Sequence, residues 1–170
     1  MAARFHDLGK IGVPGSIINK PGPLTPEEVA TVQRHPEMGE EILRPLAGME
    51  PVLPIVRHAH ERWDGEGYPD GLRGEAIPFG ARIILAVDAY DAMTTDRSYR
   101  PAMTEAEAEA ELRRGIGSQF DPLVVGVLLS TLRTGWPRLP QPSSESSRGA
   151  VPSENGIVDA RPPAPQPSLV

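Results

Sequence analysis

The chain has 170 residues, a formal net charge of −6 and no cysteine. The missing cysteines exclude disulfides, thiolate zinc sites and cysteine nucleophiles, and the acidic balance argues against a broad nucleic-acid surface. No apolar run approaches the roughly 20 residues that span a membrane, and no signal peptide is visible, so we expect a soluble protein compatible with the cytoplasm.

The elements in chain order predict an all-α bundle, because the apolar positions before residue 137 follow helical spacing. We expect His6 and Asp7 to be neighbours on a first helix. The segment Thr25-Pro26-Glu27-Glu28 is a capping box that begins another. Further helices are predicted from Pro36 to about Leu46 with His35 at the cap, from about Val52 to Glu61, from Ala81 to Met93, from Thr104 to near Arg114, and from Pro122 to Arg133 before Gly135.

The composition changes sharply after Trp136. Residues 137–170 are rich in proline and serine and show no apolar period. Such a segment cannot bury enough surface to offset its ordering entropy. We therefore predict one domain over residues 1–136 and a disordered C-terminal tail over residues 137–170.

The segment from His58 to Pro69 combines imidazoles, carboxylates and a glycine-proline turn, which are the groups of a hard-metal phosphate site. Near the start of the chain, His6 is followed directly by Asp7. On a helix their side chains would diverge by about 100°, so one could not duplicate the other. That divergence suits two metals side by side, with the aspartate bridging them.

Further candidate ligands lie on three later predicted helices: His35, His60 and Asp88. Convergence of such residues from separate helices is how metal sites in bundle cores are built. A nitrogen and oxygen set without sulfur favours iron, manganese, zinc or nickel and does not choose among them. Two such ions would activate a bridging water and neutralise the charge of a phosphodiester transition state. The expected chemistry is phosphoester hydrolysis.

Each of these residues has a simpler explanation when taken alone. A His-Asp pair is usually a surface or cap feature, and His35 before Pro36 is more often a cap than a ligand. Asp88 differs, because an aspartate within an apolar helix must be paired, protonated or metal-bound.

The remaining polar candidates could be solvated surface groups: Lys10, Glu61, Asp64, Arg97 and Arg100. Glu61 and Asp64 could equally orient His60. The Tyr68-Pro69 pair in a glycine-rich loop is most often a simple turn. The combination of all these residues, rather than any one of them, favours a functional site.

In their combination and order, these motifs resemble the HD-GYP family, phosphohydrolases of the HD superfamily that degrade bacterial cyclic di-GMP. The matching segments are His6-Asp7-Leu8-Gly9-Lys10-Ile11-Gly12-Val13-Pro14, Lys20-Pro21-Gly22, His35-Pro36-Glu37-Met38-Gly39, His60-Glu61-Arg62-Trp63-Asp64-Gly65-Glu66-Gly67-Tyr68-Pro69-Asp70-Gly71-Leu72, Asp88-Ala89-Tyr90-Asp91-Ala92-Met93, Arg97-Ser98-Tyr99-Arg100 and Phe120-Asp121-Pro122. The resemblance runs to about Leu132 and implies the helical bundle of an HD domain.

The resemblance also implies roles for individual residues. The implied metal ligands are His6, Asp7, His35, His60 and Asp88, with Asp7 bridging two divalent ions. Lys10 would act beside Asp7 in catalysis by orienting the phosphate or the attacking water. Arg97 and Arg100 would grip the substrate phosphates and guanine edges. The loop Gly67-Tyr68-Pro69 would lie beside the active site, where the family's loop is implicated in contacts with diguanylate cyclase domains.

Two departures from the family pattern bear on activity. The family has two consecutive histidines before the glutamate, and the first position here is Ala59, which we expect to weaken one metal position. His58 is no obvious replacement, because one helical step turns a side chain by about 100°. The family also carries a further histidine on earlier helices, and five residues precede His6. We therefore expect a bundle that lacks its first helices, from truncation or a misassigned start.

The leading hypothesis is a metal-dependent phosphodiesterase that hydrolyses cyclic di-GMP to pGpG and GMP in bacterial second-messenger signalling. One alternative is a catalytically degenerate HD-GYP module that binds a nucleotide or a partner protein without turnover. Another is an HD hydrolase of a different nucleotide, because a basic pair recognises phosphate more securely than guanine.

Overall fold

The computed structural model describes residues 1–96 and 101–135, and within them the chain is helical without a strand. The predicted all-α class is confirmed. The α-helices are α1 Gly15–Ile18, α2 Pro26–Val32, α3 His35–Leu43, α4 Leu53–Arg57, α5 Phe79–Thr94, α6 Glu105–Arg114 and α7 Pro122–Thr134; short 3₁₀ helices span Ala2–Arg4, Leu8–Gly12 and Gly74–Ala76. The predicted tail over residues 137–170 lies outside the described residues, as do Arg97 and Arg100.

Two of the predicted helix starts are set by local side-chain caps. The Thr25 hydroxyl accepts a hydrogen bond from the backbone N–H of Glu28, and the Glu28 carboxylate accepts one from the backbone N–H of Thr25. Thr104 and Glu107 form the same reciprocal pair at the start of α6. These bonds satisfy N–H groups that have no partner inside the helix, so both starts follow directly from the sequence.

The prediction that His6 and Asp7 share a helix is wrong. Both residues lie in a turn between the 3₁₀ helices Ala2–Arg4 and Leu8–Gly12. Two glycines within Leu8–Gly12 lower the propensity for a regular α-helix there. The orientation of the two side chains is therefore set by this turn and not by helical periodicity.

The bounds of two helices also differ from the prediction. α3 begins at His35 itself, with Arg34 at the N-cap, and it ends at Leu43. α4 ends at Arg57, so the segment from His58 to Glu61 follows the helix instead of continuing it. At this end the Pro54 carbonyl oxygen accepts from the His58 backbone N–H at 3.2 Å, and the Nδ1 of the His58 ring lies 2.7 Å from the same oxygen.

The main apolar core lies between α5, α6 and α7. α5 contains the predicted apolar segment from Ala81 to Met93 and supplies three buried core residues. The buried members of this core are Leu85, Ala86, Ala89, Leu112, Phe120, Val124, Val125, Leu128 and Leu129. The core holds α5 in place along the side of the molecule that carries Asp88.

The 3₁₀ helix Leu8–Gly12 packs directly on α3, and glycine makes this possible. A Cβ on Gly9 would overlap the carbonyl oxygen of His35 and would lie 2.5 Å from the backbone nitrogen of Gly39. Only a residue without a side chain allows the two backbones to approach this closely. The contact brings Asp7, two residues before Gly9, beside His35.

Candidate metal centre

The residues predicted as metal ligands come together at one place from four segments of the chain. His6 and Asp7 lie in the turn, His35 begins α3, His60 follows the end of α4, and Asp88 lies in the second half of α5. His35 and His60 are buried, with exposed fractions of 1% and 5%. The two oxygens of Asp7 divide the surrounding ligand atoms into two groups.

The inner group consists of Asp7 Oδ1, His35 Nε2 and His60 Nε2. Asp7 Oδ1 lies 3.4 Å from His35 Nε2 and 3.8 Å from His60 Nε2. The two imidazole nitrogens are 3.0 Å apart. These three atoms form a compact triangle of potential metal ligands.

The outer group consists of Asp7 Oδ2, His6 Nε2 and Asp88 Oδ1. His6 Nε2 lies 3.5 Å from Asp7 Oδ2 and 3.6 Å from Asp88 Oδ1. The side chains of His6 and Asp7 therefore converge, which corrects the expected divergence of about 100° on a helix. The carboxylate of Asp7 has one oxygen in each group, an arrangement compatible with a bridging ligand.

Backbone carbonyls orient two of the histidines. His35 Nδ1 lies 2.8 Å from the Val32 carbonyl oxygen, and His6 Nδ1 lies 3.0 Å from the Ala3 carbonyl oxygen. A carbonyl oxygen only accepts, so Nδ1 carries the proton in both rings. Each Nε2 then presents its lone pair to the group of ligand atoms, as a metal-binding imidazole requires.

The electrostatics of the inner group suit metal binding. Burial acts to raise the pKa of Asp7, but its contacts with His35 and His60 and the positive charge of Lys10 outweigh burial, so the pKa lies far below its usual range. Burial lowers the pKa of His60. The carboxylate is therefore ionised and the imidazole neutral, and metal ions need both states in their ligands.

The outer group differs in the protonation of its histidine. The pKa of Asp88 is lowered, because its interactions with His6 outweigh the effect of burial. The pKa of His6 is raised, since the nearby carboxylates of Asp88 and Asp7 outweigh burial. A metal ion in this group would have to displace a proton from His6 at low pH.

The donor atoms fit divalent metal ions. Among the described residues, two buried side-chain atoms make no hydrogen bond, and they are His6 Nε2 and Asp7 Oδ1. One belongs to each group, and a buried polar atom without a partner is costly unless something else binds it. Ligand atoms about 2.1 Å from one ion lie roughly 3.0 to 3.4 Å apart, which is close to the separations of 3.0 and 3.4 Å within the inner group. In the outer group, His6 Nε2 lies 3.5 and 3.6 Å from the two carboxylates.

Lys10 lies at the edge of this centre, as predicted for a residue that acts beside Asp7. Its Nζ donates a hydrogen bond of 2.9 Å to Asp7 Oδ2. Its role in catalysis stays a prediction. The predicted substrate-binding residues Arg97 and Arg100 lie outside the described residues.

Glu61 and Asp64 do not orient His60, which the sequence left open as a possibility. The Glu61 carboxylate accepts hydrogen bonds from the backbone N–H groups of Asp70 and Leu72, at 2.8 and 3.1 Å. Asp64 forms an ion pair with Arg62 at 2.6 Å. Both carboxylates therefore organise the loop around Gly67-Tyr68-Pro69 instead of the histidine.

The resemblance predicts a loop at Gly67-Tyr68-Pro69 beside the active site, and the Tyr68 ring lies directly against the candidate metal centre. It stacks on His60 with ring centroids 5.3 Å apart and an interplanar angle of 8°. It also meets His35 edge-on at 6.3 Å. No local pattern predicts the ring stacking itself, because a tyrosine before proline in a glycine-rich loop is equally typical of a solvent-exposed turn.

A second cluster of His58, Glu61 and Asp70 also brings potential ligand atoms together. Its atoms already have protein partners. His58 Nε2 lies 2.9 Å from Asp70 Oδ2, and Arg57 donates two hydrogen bonds to the same carboxylate. The interactions of Arg57 and His58 lower the pKa of Asp70 to about 2. This cluster is an ion-pair network that attaches the loop to α4, and it also shows that His58 does not replace the histidine missing at Ala59.

We expect Glu61→Gln to lower the free energy of unfolding by about 2 kcal/mol. Glu61 is 1% exposed and its two carboxylate oxygens accept from two backbone N–H groups. A glutamine amide has one acceptor oxygen, so one backbone donor would face an NH₂ group. Urea denaturation measures the change. Glu66→Gln, at a side chain that is 79% exposed, is the control, and equal stability losses in both variants would contradict the assignment.

The chain is similar to proteins of a known family. A family model described as HD domain matches residues 1–124. The chain is 46% identical over 135 residues to the cyclic di-GMP phosphodiesterase response regulator RpfG of Xanthomonas campestris pv. campestris (strain 8004), covering 76% of this chain and 35% of the relative. It is 40% identical over 130 residues to 3'3'-cGAMP-specific phosphodiesterase 2 of Vibrio cholerae, covering 75% of this chain and 25% of the relative.

A solved structure shares the fold. The cyclic GMP-AMP specific phosphodiesterase V-cGAP3 of V. cholerae superposes with a TM-score of 0.53 at 24% identity, covering 76% of this chain and 36% of the neighbour. The chain spans about a third of the length of the curated relatives that it matches. None of the helices within residues 1–96 and 101–135 is both long enough and apolar enough to cross a membrane.

Proposed function

The chain belongs to the HD domain family and to its HD-GYP type, and from this premise we propose that it is a metal-dependent phosphodiesterase that hydrolyses cyclic di-GMP to pGpG and then GMP. The observation that carries the proposal is the position of Asp7, whose two carboxylate oxygens lie in two separate groups of nitrogen and oxygen donors. Such a carboxylate can hold two ions side by side, as hydrolysis of a phosphodiester at a two-metal site requires.

HD phosphohydrolase domains bind divalent metal ions, and this chain carries a matching set of donors. We propose that two ions bind, one in the inner group and one in the outer group, with Asp7 shared between them. When bound, they would lower the pKa of a water molecule and neutralise the charge that develops on the phosphate. Which metals bind is left open by a set of nitrogen and oxygen ligands.

The surrounding residues have distinct proposed tasks. His35 and His60, both buried, would keep the inner group closed to bulk water. His6 and Asp88 would complete the outer group on the more exposed side. Lys10 would hold Asp7 through its 2.9 Å hydrogen bond and place a positive charge where the phosphate must arrive.

Cyclic di-GMP is the preferred candidate substrate, because the relative with 46% identity carries that activity in its name. A second candidate is 3'3'-cGAMP, which is named for a relative with 40% identity. The two substrates differ by one purine base and share the phosphodiester ring. Competition between them for the same protein would rank the two candidates.

The Ala59 position bears on how many metals the protein binds. Ala59 is buried, with an exposed fraction of 1%, and His58 on one side is fully engaged with Pro54 and Asp70. We propose that the chain's own residues supply one ligand fewer than in relatives with two consecutive histidines. The degenerate binding module predicted as an alternative would show weak metal binding and no turnover.

The outer face of the loop is the part open to a partner protein. Glu66 is exposed, whereas Tyr68 faces the metal centre. We propose that a diguanylate cyclase domain, if it binds this loop, would meet Glu66 and not the Tyr68 ring. A cytoplasmic location likewise stays a proposal that follows from the class of substrate.

Removing the metals tests the proposal directly. We expect the cyclic di-GMP turnover of the purified protein to fall more than about 100-fold after dialysis against a chelator. The turnover should return when Fe²⁺ or Mn²⁺ is added back without oxygen. Liquid chromatography of pGpG and GMP measures the reaction. Undiminished turnover by protein shown to be metal-free by mass spectrometry would contradict the proposal.

A further inference from the structure

Arg57, the last residue of α4, joins three segments of the chain through ion pairs. Its guanidinium donates two hydrogen bonds to the Asp70 carboxylate, from Nε to Oδ2 at 2.7 Å and from Nη2 to Oδ1 at 2.8 Å. Its Nη1 donates to Glu40 Oε2 at 3.0 Å, and its Nη2 lies 3.5 Å from Glu37 Oε1. The two glutamates belong to α3, and Asp70 belongs to the loop around Gly67-Tyr68-Pro69. One side chain therefore connects α3, α4 and the loop.

These segments carry the two histidines of the inner group. His35 begins α3, five residues before Glu40, and His60 comes three residues after Arg57. The two imidazole Nε2 atoms are 3.0 Å apart although they come from different segments. Their separation therefore depends on how α3 lies against the end of α4. Arg57 fixes that relation through its contact with Glu40.

The charges around Arg57 make its guanidinium necessary for this arrangement. Three carboxylates, those of Glu37, Glu40 and Asp70, lie within 3.5 Å of it. The side chains of Arg57 and Asp70 are 26% and 35% exposed, so water screens these charges only in part. Without the guanidinium, negative charges on α3 and on the loop would face each other. Their repulsion would move α3 and the loop apart.

Two other basic side chains near these carboxylates do not make the same connection. Arg44 Nη2 donates to Glu40 Oε1 at 2.9 Å, but Arg44 is the C-cap of α3 itself. His58 Nε2 lies 2.9 Å from Asp70 Oδ2, and it joins the loop to the end of α4 alone. Within the part of the chain that the structure describes, Arg57 is the basic residue whose ion pairs reach both α3 and the loop.

We propose that Arg57 is a positioning residue of the metal centre, which sets the separation of His35 and His60 at which the inner group binds a metal ion. It does so by holding α3 and the loop against the end of α4. The assignment rests on the proposed function, in which the inner group holds one of two ions. Residues that orient metal ligands from outside contribute roughly 10- to 100-fold to metal affinity. Arg57 acts through the segments that carry the ligands, so we expect the lower end of that range.

Mn²⁺ binding to the metal-free protein, measured by calorimetry, tests the proposal. In a protein that carries Asp88→Ala, which removes a donor of the outer group alone, the remaining site reports on the inner group. There we expect Arg57→Ala to weaken Mn²⁺ binding about 10-fold. Arg57→Lys keeps the charge but loses the bidentate contact, so its loss should be about 3-fold. In a protein that carries His60→Ala, where the outer group remains, Arg57→Ala should leave the affinity within about twofold.

Arg44→Ala is the matched control, because it removes an arginine from the same Glu40 carboxylate without breaking the connection to the loop. Its Mn²⁺ affinity should stay within about twofold of wild type. We expect the Arg57 variants to fold, because the neighbouring Val56 is fully buried and a Cβ on Gly39 of α3 would lie 3.3 Å from its Cγ1. If Arg57→Ala does not fold, Glu40→Gln breaks the same connection from α3 and should weaken Mn²⁺ binding about 3-fold.

The measurement is independent of turnover, so it separates this proposal from the proposed function. A wild-type protein that binds Mn²⁺ but hydrolyses no cyclic dinucleotide contradicts the function, while a weaker inner site in Arg57→Ala would still support the positioning role. Equal affinity of the inner site with and without Arg57, or an equal loss in the inner and outer sites, overturns the proposal. Arg57 would then only stabilise the fold. A wild-type protein that binds no Mn²⁺ overturns both.

Discussion

Asp7→Ala is expected to lower cyclic di-GMP turnover by more than about 100-fold and to remove most of the bound metal. Losing a residue that only orients a metal ligand costs up to roughly 100-fold, and losing a ligand should cost more. Asp7 Oδ1 lies 3.4 Å from His35 Nε2, and Asp7 Oδ2 lies 3.5 Å from His6 Nε2. Removing the shared carboxylate leaves two donors in each group, too few to hold an ion firmly. Mass spectrometry of bound metal and steady-state kinetics measure the two effects.

The effect should be specific to this carboxylate. Asp91→Ala removes an exposed aspartate from α5, three residues after Asp88, and should leave turnover within about twofold of wild type. Asp88→Ala removes a donor from the outer group alone, so we expect its metal content to fall less than that of Asp7→Ala. An Asp7→Ala protein with full metal content and turnover would show that Asp7 is not the shared ligand.

Gly9→Ala is expected to lower the free energy of unfolding by about 3 kcal/mol and to weaken metal binding. The new methyl group would overlap the His35 carbonyl oxygen and would lie 2.5 Å from the Gly39 nitrogen. Both neighbours are backbone atoms of α3, so neither can rotate aside. The 3₁₀ helix Leu8–Gly12 must then move away from α3, which separates Asp7 from His35.

Gly126→Ala is the matched control, because the same substitution there has the opposite expected sign. Gly126 lies in the middle of α7, and a Cβ at this position meets nothing within 4 Å. Alanine stabilises a helix interior by about 0.5 to 1 kcal/mol relative to glycine. Chemical denaturation of both variants measures the two changes. A Gly9→Ala protein as stable as wild type would mean that the 3₁₀ helix is not packed on α3 as described.

Much of the helical architecture could be predicted because its signals are local. The capping boxes at Thr25 and Thr104 each involve residues three positions apart, and both are present. The end of α4 could not be predicted in this way. The residue that follows this end, His58, is held by Asp70 from the loop twelve positions later, and such a distant contact is not visible in a local pattern.

The candidate site was only partly predictable for a related reason. The residue types and their order indicated a metal site, but the division of donors between the two oxygens of Asp7 depends on the turn at His6 and Asp7. The place of Glu61 was also missed. Its carboxylate binds backbone N–H groups nine and eleven positions away. Every residue except proline carries such a donor, so the residue types do not show which donors will be bound.

The sequence by itself determined the all-α class, the starts of the capped helices and the family of the chain, because caps, apolar periodicity and motif residues are properties of neighbouring positions. Only the tertiary structure decided that Tyr68 stacks on His60 and that His35 and His60, 25 positions apart, share Asp7. The contact of Asp7 with His35 depends on the close packing of the 3₁₀ helix Leu8–Gly12 on α3. Packing of that kind is fixed by distances between backbones, which no local pattern of residues encodes.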